Sequence, residues 1–437
     1  MEDTAERIVN RAINLGCQDA VADVAVNRSY QIRFAQNQVV ISNRWRETTA
    51  SAFIVYKKRV VASDIKDLTK LEAQVENLVK IAKASQENPD YAGIAKGPFK
   101  YDRLVVDKKI VDLTDGSDHV QAAVGAALEE GANECAGSFW KYDEEHFLRT
   151  SNGVNGYDRR SSLYLSIRAL MGLESSGHGV ACATKLSQFD PAKAGHKAGR
   201  IAALAKNPVT GRAGTFDIVF DPLIFGSLID QAGGRAGAYS VLAGLSPYAK
   251  KIGKKVASEA VTITDDGSAE SIGRRRFDSE GVPTKRNTII QKGILKTYLH
   301  NTSTAKKFKT KTTANAGLIA PDAHALFCKP GDWTKDEIFE ECKDGLWLTN
   351  TWYTRYQSYV TGDFSTIPRD GIFRIKKGEV VGVWKDLRLT DNLINVWKSV
   401  VGLSKNVDQV QWWGEVGVPT FAPYALARKI GITKSAE

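Results

Sequence analysis

Few residues in this chain are spaced for chemistry. Histidine and cysteine recur four residues apart at His178/Cys182 and His324/Cys328. Four such side chains brought together would make a structural zinc site. The first pair lies in GHGVAC, which reads as a glycine-rich turn leading into a strand. There the i,i+4 spacing does not join two side chains as one helical turn would. Packed histidine and buried cysteine are therefore the expectation. After the strand Phe216–Phe220, Pro222 opens a helix at its first position, LIFGSLIDQAGGRAGAYS.

The elements around these residues form two halves. Glu2–Leu15 repeats apolar residues at helical spacing, and Leu68–Ala84 forms a second helix. Between them run Ala20–Val26, Ser29–Phe34 with Val39–Asn43, and Thr48–Tyr56, which turns at Lys57-Lys58 into Arg59–Ala62. The order then recurs. Ser117–Gly131 is a helix, Ser138–Tyr142, Glu144–Asn152, Ser161–Leu170 and Ala181–Leu186 are strands, and Ala192–Ala205 closes the unit as a helix. Residues 1–206 thus predict an α+β domain built by duplication. NPVTGRAG, 207–214, reads as a linker. Residues 215–437 predict a β-rich domain with few helices, including Lys335–Lys343 and Asn392–Val401.

One stretch organises the second half: FDSEGVPTKRNTIIQKGILKTYLHNTSTAKKF, Phe277 to Phe308. Gly281 and Pro283 mark a turn, and Lys292-Gly293 turns a hairpin whose return strand is Ile294–Leu299. Thr302 or Ser303 offers a hydroxyl to cap a short basic helix. The wording resembles the signature of the TldD/PmbA family, cytosolic proteins of which one type is a zinc metallopeptidase. In those peptidases the resemblance implies a His-Glu-x-x-x-His helix, with zinc on the two imidazoles and the glutamate as general base. A cysteine near the C-terminus would be the third ligand. On the corresponding positions this chain carries Ile229, Asp230 and Gly234, and its most C-terminal cysteine is Cys342, well before VQWWGEVG.

The resemblance therefore points to the PmbA (TldE) side of the family, whose members lack the zinc motif. It implies no metal or other cofactor, no catalytic residue, and a homodimer or a heterodimer with a zinc-bearing TldD-like paralogue acting on unfolded peptides. Peptidase members are thought to hold such a peptide as an added strand. Gly362, Asp363 and Phe364 lie where that edge is expected, with a turn between strands as the equal alternative. Trp347, Trp352, Trp412 and Trp413 read as core or as interface anchors.

Composition narrows the setting. Hydrophobic content of 43% and charged content of 25% suit a globular chain. No apolar run approaches the ~20 residues that span a bilayer, and no N-terminal h-region is visible. The five cysteines are odd in number and widely spaced, which argues for a reducing, cytoplasmic compartment. The net charge of +10 reads as a soluble surface. A nucleic-acid-associated protein is the lesser alternative, since no binding motif accompanies the charge. An active metallopeptidase with an atypical metal site is the other.

Overall fold

The computed structural model describes residues 1–435. In the N-terminal half α1 (Glu2–Asn14) is followed by β1 (Asp19–Ala35), β2 (Gln38–Tyr56), β3 (Arg59–Ile65) and α2 (Leu71–Ala84). After a long loop with the single turn α3 (Lys108–Val111), the order repeats as α4 (Ser117–Glu129), β4 (Glu134–Thr150), β5 (Asn155–Met171), β6 (Ser175–Ala183) and α5 (Pro191–Leu204). The two units share one six-stranded sheet, β3-β2-β1-β4-β5-β6, joined where β1 pairs with β4 from Val21↔Thr150 to Phe34↔Gly137. Ala5, Ile8, Val9 and Ala12 of α1 and Val120, Ala123, Val124 and Ala127 of α4 bury their stripes on the same face of this sheet.

The strands are longer than the sequence pattern suggests. Asn27-Arg28 does not break β1: the ladders to β2 and β4 run through both residues, and Arg28 reaches across the sheet to Glu145 at 2.6 Å as a cross-strand partner. The first hairpin turns at Gln36-Asn37 and the second at Lys57-Lys58, as its sequence reads, and the positive φ angles at all four residues match the twist of two-residue hairpins. GHGVAC is no turn either. It lies inside β6, and its glycines are there because α5 rests flush against the sheet. A Cβ on Gly177 would stand 2.0 Å from the Ala198 carbonyl oxygen, and one on Gly179 2.0 Å from that of Ala194.

The C-terminal half runs β7 (Val209–Thr210), β8 (Gly214–Phe220), α6 (Pro222–Arg235), α7 (Ala238–Leu242), β9 (Ile263–Asp266), β10 (Arg286–Gln291), β11 (Ile294–Leu295), α8 (Thr302–Lys307), β12 (Leu326–Cys328) and α9 (Lys335–Cys342). It continues with β13 (Asp344–Ser358), β14 (Asp363–Lys376), β15 (Glu379–Lys385), β16 (Leu387–Asn392), α10 (Leu393–Ser399), β17 (Val400–Trp412) and β18 (Val416–Lys434). These strands build a twelve-stranded mixed sheet in which β18 pairs with β12, β8, β16 and β17. Residues 207–214 carry β7, which lies parallel to β15 at Val209↔Trp384. The return strand after Lys292-Gly293 stops at Leu295, and Asn301, not Thr302 or Ser303, caps α8 by accepting from the Thr304 N–H at 2.9 Å.

Candidate functional site

The face of the six-stranded sheet opposite the helices is only partly covered. At the β1 start it packs on Phe277 and on Tyr91 and Ile94 of the long loop. Farther along, Arg33 of β1, Trp140 of β4 and Ser166 of β5 floor a cleft of about 1060 Å³. Trp352, Arg369, Trp412 and Trp413 of the other half roof it. Trp412 stacks on Trp352 with ring centroids 5.6 Å apart, Trp413 meets Trp352 edge-on at 5.5 Å, and the Arg369 guanidinium lies 5.5 Å over Trp352. Trp412 is buried and Trp413 is 85% exposed, while Trp347 sits in the core against Phe373. The tryptophans therefore divide between core and cleft.

Beneath the roof a buried polar network joins the halves. His178 Nε2 lies 2.8 Å from Ser166 Oγ, and Nδ1 lies 3.0 Å from Asn350 Nδ2. Asn350 Nδ2 also donates to Asp370 Oδ2 at 2.9 Å, and its Oδ1 accepts from the Thr351 N–H at 2.8 Å. The arrangement superficially resembles a serine–histidine–aspartate relay, but the hydrogen bonds run the wrong way. The amide occupies Nδ1 with a proton, so Nε2 carries the imidazole hydrogen and donates it to Ser166. It has no lone pair left to take the serine proton, as a general base must. Burial pushes the His178 pKa down to about 3, so the ring is neutral near pH 7. Arg168 and Ser176 also bind Asp370. The network ties β5 and β6 to β13 and β14.

The other histidine–cysteine pair is also packing. His324 Nε2 donates to the Ala314 carbonyl at 2.9 Å, and burial pushes the Cys328 thiol up to about 12.

Helix α6 opens on Asp221, whose carboxylate accepts from the Leu223 N–H at 3.2 Å and from Lys197 of α5 at 2.6 Å. Ile229 is fully buried in the main core. Asp230 turns toward β18 and accepts from the Val418 N–H at 3.1 Å. Burial pushes its carboxyl up to about 6, against the backbone N–H groups of Val418 and Gly417, which favour the anion. Gly234 is exposed, with nothing within 4 Å of where a Cβ would stand.

Two family descriptions match this chain: PmbA/TldA metallopeptidase C-terminal domain over residues 213–434 and PmbA/TldA metallopeptidase central domain over residues 107–206. The chain belongs to the PmbA/TldD family. A metalloprotease of Methanocaldococcus jannaschii is 34% identical over 206 residues, 45% of this chain and 44% of that protein. The metalloprotease PmbA of Escherichia coli O157:H7 is 27% identical over 174 residues, 38% of this chain and 37% of that protein. The match spans about half the length or less of these curated relatives. TldE from Thermococcus kodakarensis superimposes with a TM-score of 0.84 at 18% identity, covering 98% of this chain and 100% of that one, a likeness of fold.

Zinc, which the family implies, does not fit the residues on α6. Isoleucine and glycine offer no side-chain donor at 229 and 234, and VQWWGEVG, where the resemblance leads one to expect a thiol, holds no cysteine. Among the described residues no group of three or more His, Cys, Asp or Glu is placed to hold a metal.

The family signature has a structural task. Asp278 accepts from the N–H groups of Glu280, Val282 and Ala316, each at 2.9 Å. Glu280 accepts from Ala95 at 3.1 Å and Thr302 at 3.3 Å, tying the N-terminal loop to α8. Burial pushes Asp278 up to about 6 and Glu280 to about 7, the latter helped by the Asp278 charge.

Gly362–Phe364 is no free edge. Asp363 pairs with Ser358 of β13 on one side and Asn392 of β16 on the other. Phe364 is buried, and Gly362 at φ +89° makes the turn before the strand. Its backbone groups already serve the sheet, so strand addition there has no place to occur. The cleft residues Arg33, Trp140 and Ser166 were not singled out by sequence; only the alternation of β1, β4 and β5 hints at a polar face.

Proposed function

We propose that this chain is a zinc-free, non-catalytic subunit that pairs with a zinc-bearing paralogue and helps to enclose an unfolded peptide in the aromatic cleft. The observation that carries this reading is α6. The helix keeps its place against β18, yet Ile229 faces the core, Gly234 is bare and Asp230 is engaged by Val418 N–H. Metalloprotease relatives supply the class of reaction, which then belongs to the partner. The cleft, with tryptophans and the Arg369 guanidinium on its roof, suits a chain held by backbone pairing and aromatic contact. Co-expression with a paralogue bearing His-Glu-x-x-x-His tests it. A stable complex that cleaves unfolded peptides, with this chain inactive alone, supports the reading. A chain that never joins the paralogue and forms only homodimers overturns it.

A further inference from the structure

Half of one strand is left open. From Ala50 to Tyr56, β2 lies between β1 and β3, but from Gln38 to Thr49 it pairs with β1 alone among the described residues. A bulge at Val40, between Phe34↔Val39 and Arg33↔Ile41, interrupts the ladder near the hairpin turn. Beyond it Ile41–Thr49 is a regular edge about 30 Å long. Open edges are ordinarily blunted by proline, lysine or a covering element. This one has no proline and no lysine, and every residue from Gln38 to Glu47 is exposed, Ile41 by 40% and Trp45 by 36%.

The register sorts its side chains. Ile41 lies opposite Arg33 and Trp45 opposite Ser29, so both share the cleft face, where Trp45 stacks on Trp140 at 5.7 Å. Ser42, Arg44 and Arg46 alternate onto the other face, where Arg44 lies over Tyr30 and Arg46 stands opposite Arg28. Arg28 is already paired with Glu145 and Asp143.

We propose that this edge takes, by strand addition, an extended segment that alternates apolar and acidic side chains. Its apolar residues lie on Ile41 and Trp45 in the cleft, and its carboxylates meet Arg44 and Arg46 on the opposite face. The proposal rests on the cleft being a peptide chamber and names the peptide class. Charge selects this occupant over a second copy of the chain. The antiparallel register that pairs all of Ile41–Thr49 with itself sets Arg44 against Arg46 twice, and like charges directly opposite destabilise a pair of strands. The net charge of +10 on each copy adds to that repulsion.

The test is fluorescence anisotropy on the full chain, alone and with its partner subunit, using a short fluorescein-labelled peptide alternating valine and glutamate and a counterpart alternating valine and lysine. The glutamate peptide is expected to bind at least about tenfold more tightly, with the preference weakened by salt. Arg46→Glu is expected to reverse that preference, and Ile41→Glu to weaken both peptides. Both positions are exposed, so far-UV circular dichroism should show wild-type folding. Equal binding of the two peptides, or binding indifferent to Arg46→Glu and Ile41→Glu but lost in Trp413→Ala, overturns the edge while leaving the chamber standing. Binding of neither peptide, with or without the partner, overturns the chamber as well. A homodimer by light scattering that Ile41→Glu dissociates assigns the edge to a second copy and overturns the proposal.

Discussion

The Asp230 carboxylate accepts a hydrogen bond from the Val418 N–H at 3.1 Å, tying the centre of α6 to the start of β18. This bond gives a buried acid a structural use.

Its pKa supplies the first prediction. Burial raises Asp230 from 3.8 to about 6, so between those values the folded state holds more protons than the unfolded one. Its contribution falls as pH rises through that window. Asp230→Asn cannot ionise and can still accept from Val418. The variant should match wild type below pH ~4 and exceed it above pH ~6 by up to about 3 kcal/mol. His178, His300 and His324 have lowered pKa values from burial. They oppose the trend over part of the same range, so denaturation of the two proteins side by side isolates Asp230. A difference that does not change with pH would refute this assignment.

The His178 network predicts a separation of stability from activity. Ser166→Ala should cost about 1 kcal/mol and leave peptide hydrolysis by the assembled complex within about twofold. His178→Ala should cost about 3 kcal/mol by stranding Asn350 in the interface. Loss of hydrolysis in Ser166→Ala without loss of stability would restore the relay reading.

Asp278 is predicted to be architectural. Asp278→Ala removes one acceptor from three backbone N–H groups in a buried joint, at a cost of about 3 kcal/mol or more. Chemical denaturation measures it, and a loss under about 1 kcal/mol would contradict the role.

Gly179→Ala forces a methyl group against a backbone oxygen 2.0 Å away, so α5 must lift from the sheet. A loss of at least about 2 kcal/mol in urea denaturation is expected; an unchanged midpoint would show that the helix yields freely.

These residues also show what sequence could and could not carry. The duplicated α+β layout was legible because amphipathic periods repeat around each sheet half. GHGVAC misled because a glycine needed for close packing looks the same as one needed for a turn. Gly362–Phe364 misled because a strand's second neighbour, here β16 through Asn392, is set by distant pairing. The open edge at Ile41–Thr49 was hidden for the same reason, since β3 stops at Ile65 opposite Ala50. The cleft gathers Arg33, Trp140 and Ser166 from three strands and Trp413 from the β17–β18 turn, far apart in the chain, which no local pattern relates.

The most direct test of the zinc-free reading is the metal content of the purified chain after incubation with zinc and a brief chelator-free wash. The account predicts far less than one zinc per chain, unchanged by Asp230→Asn. About one zinc per chain, removable by chelator and carried with peptidase activity, would contradict it.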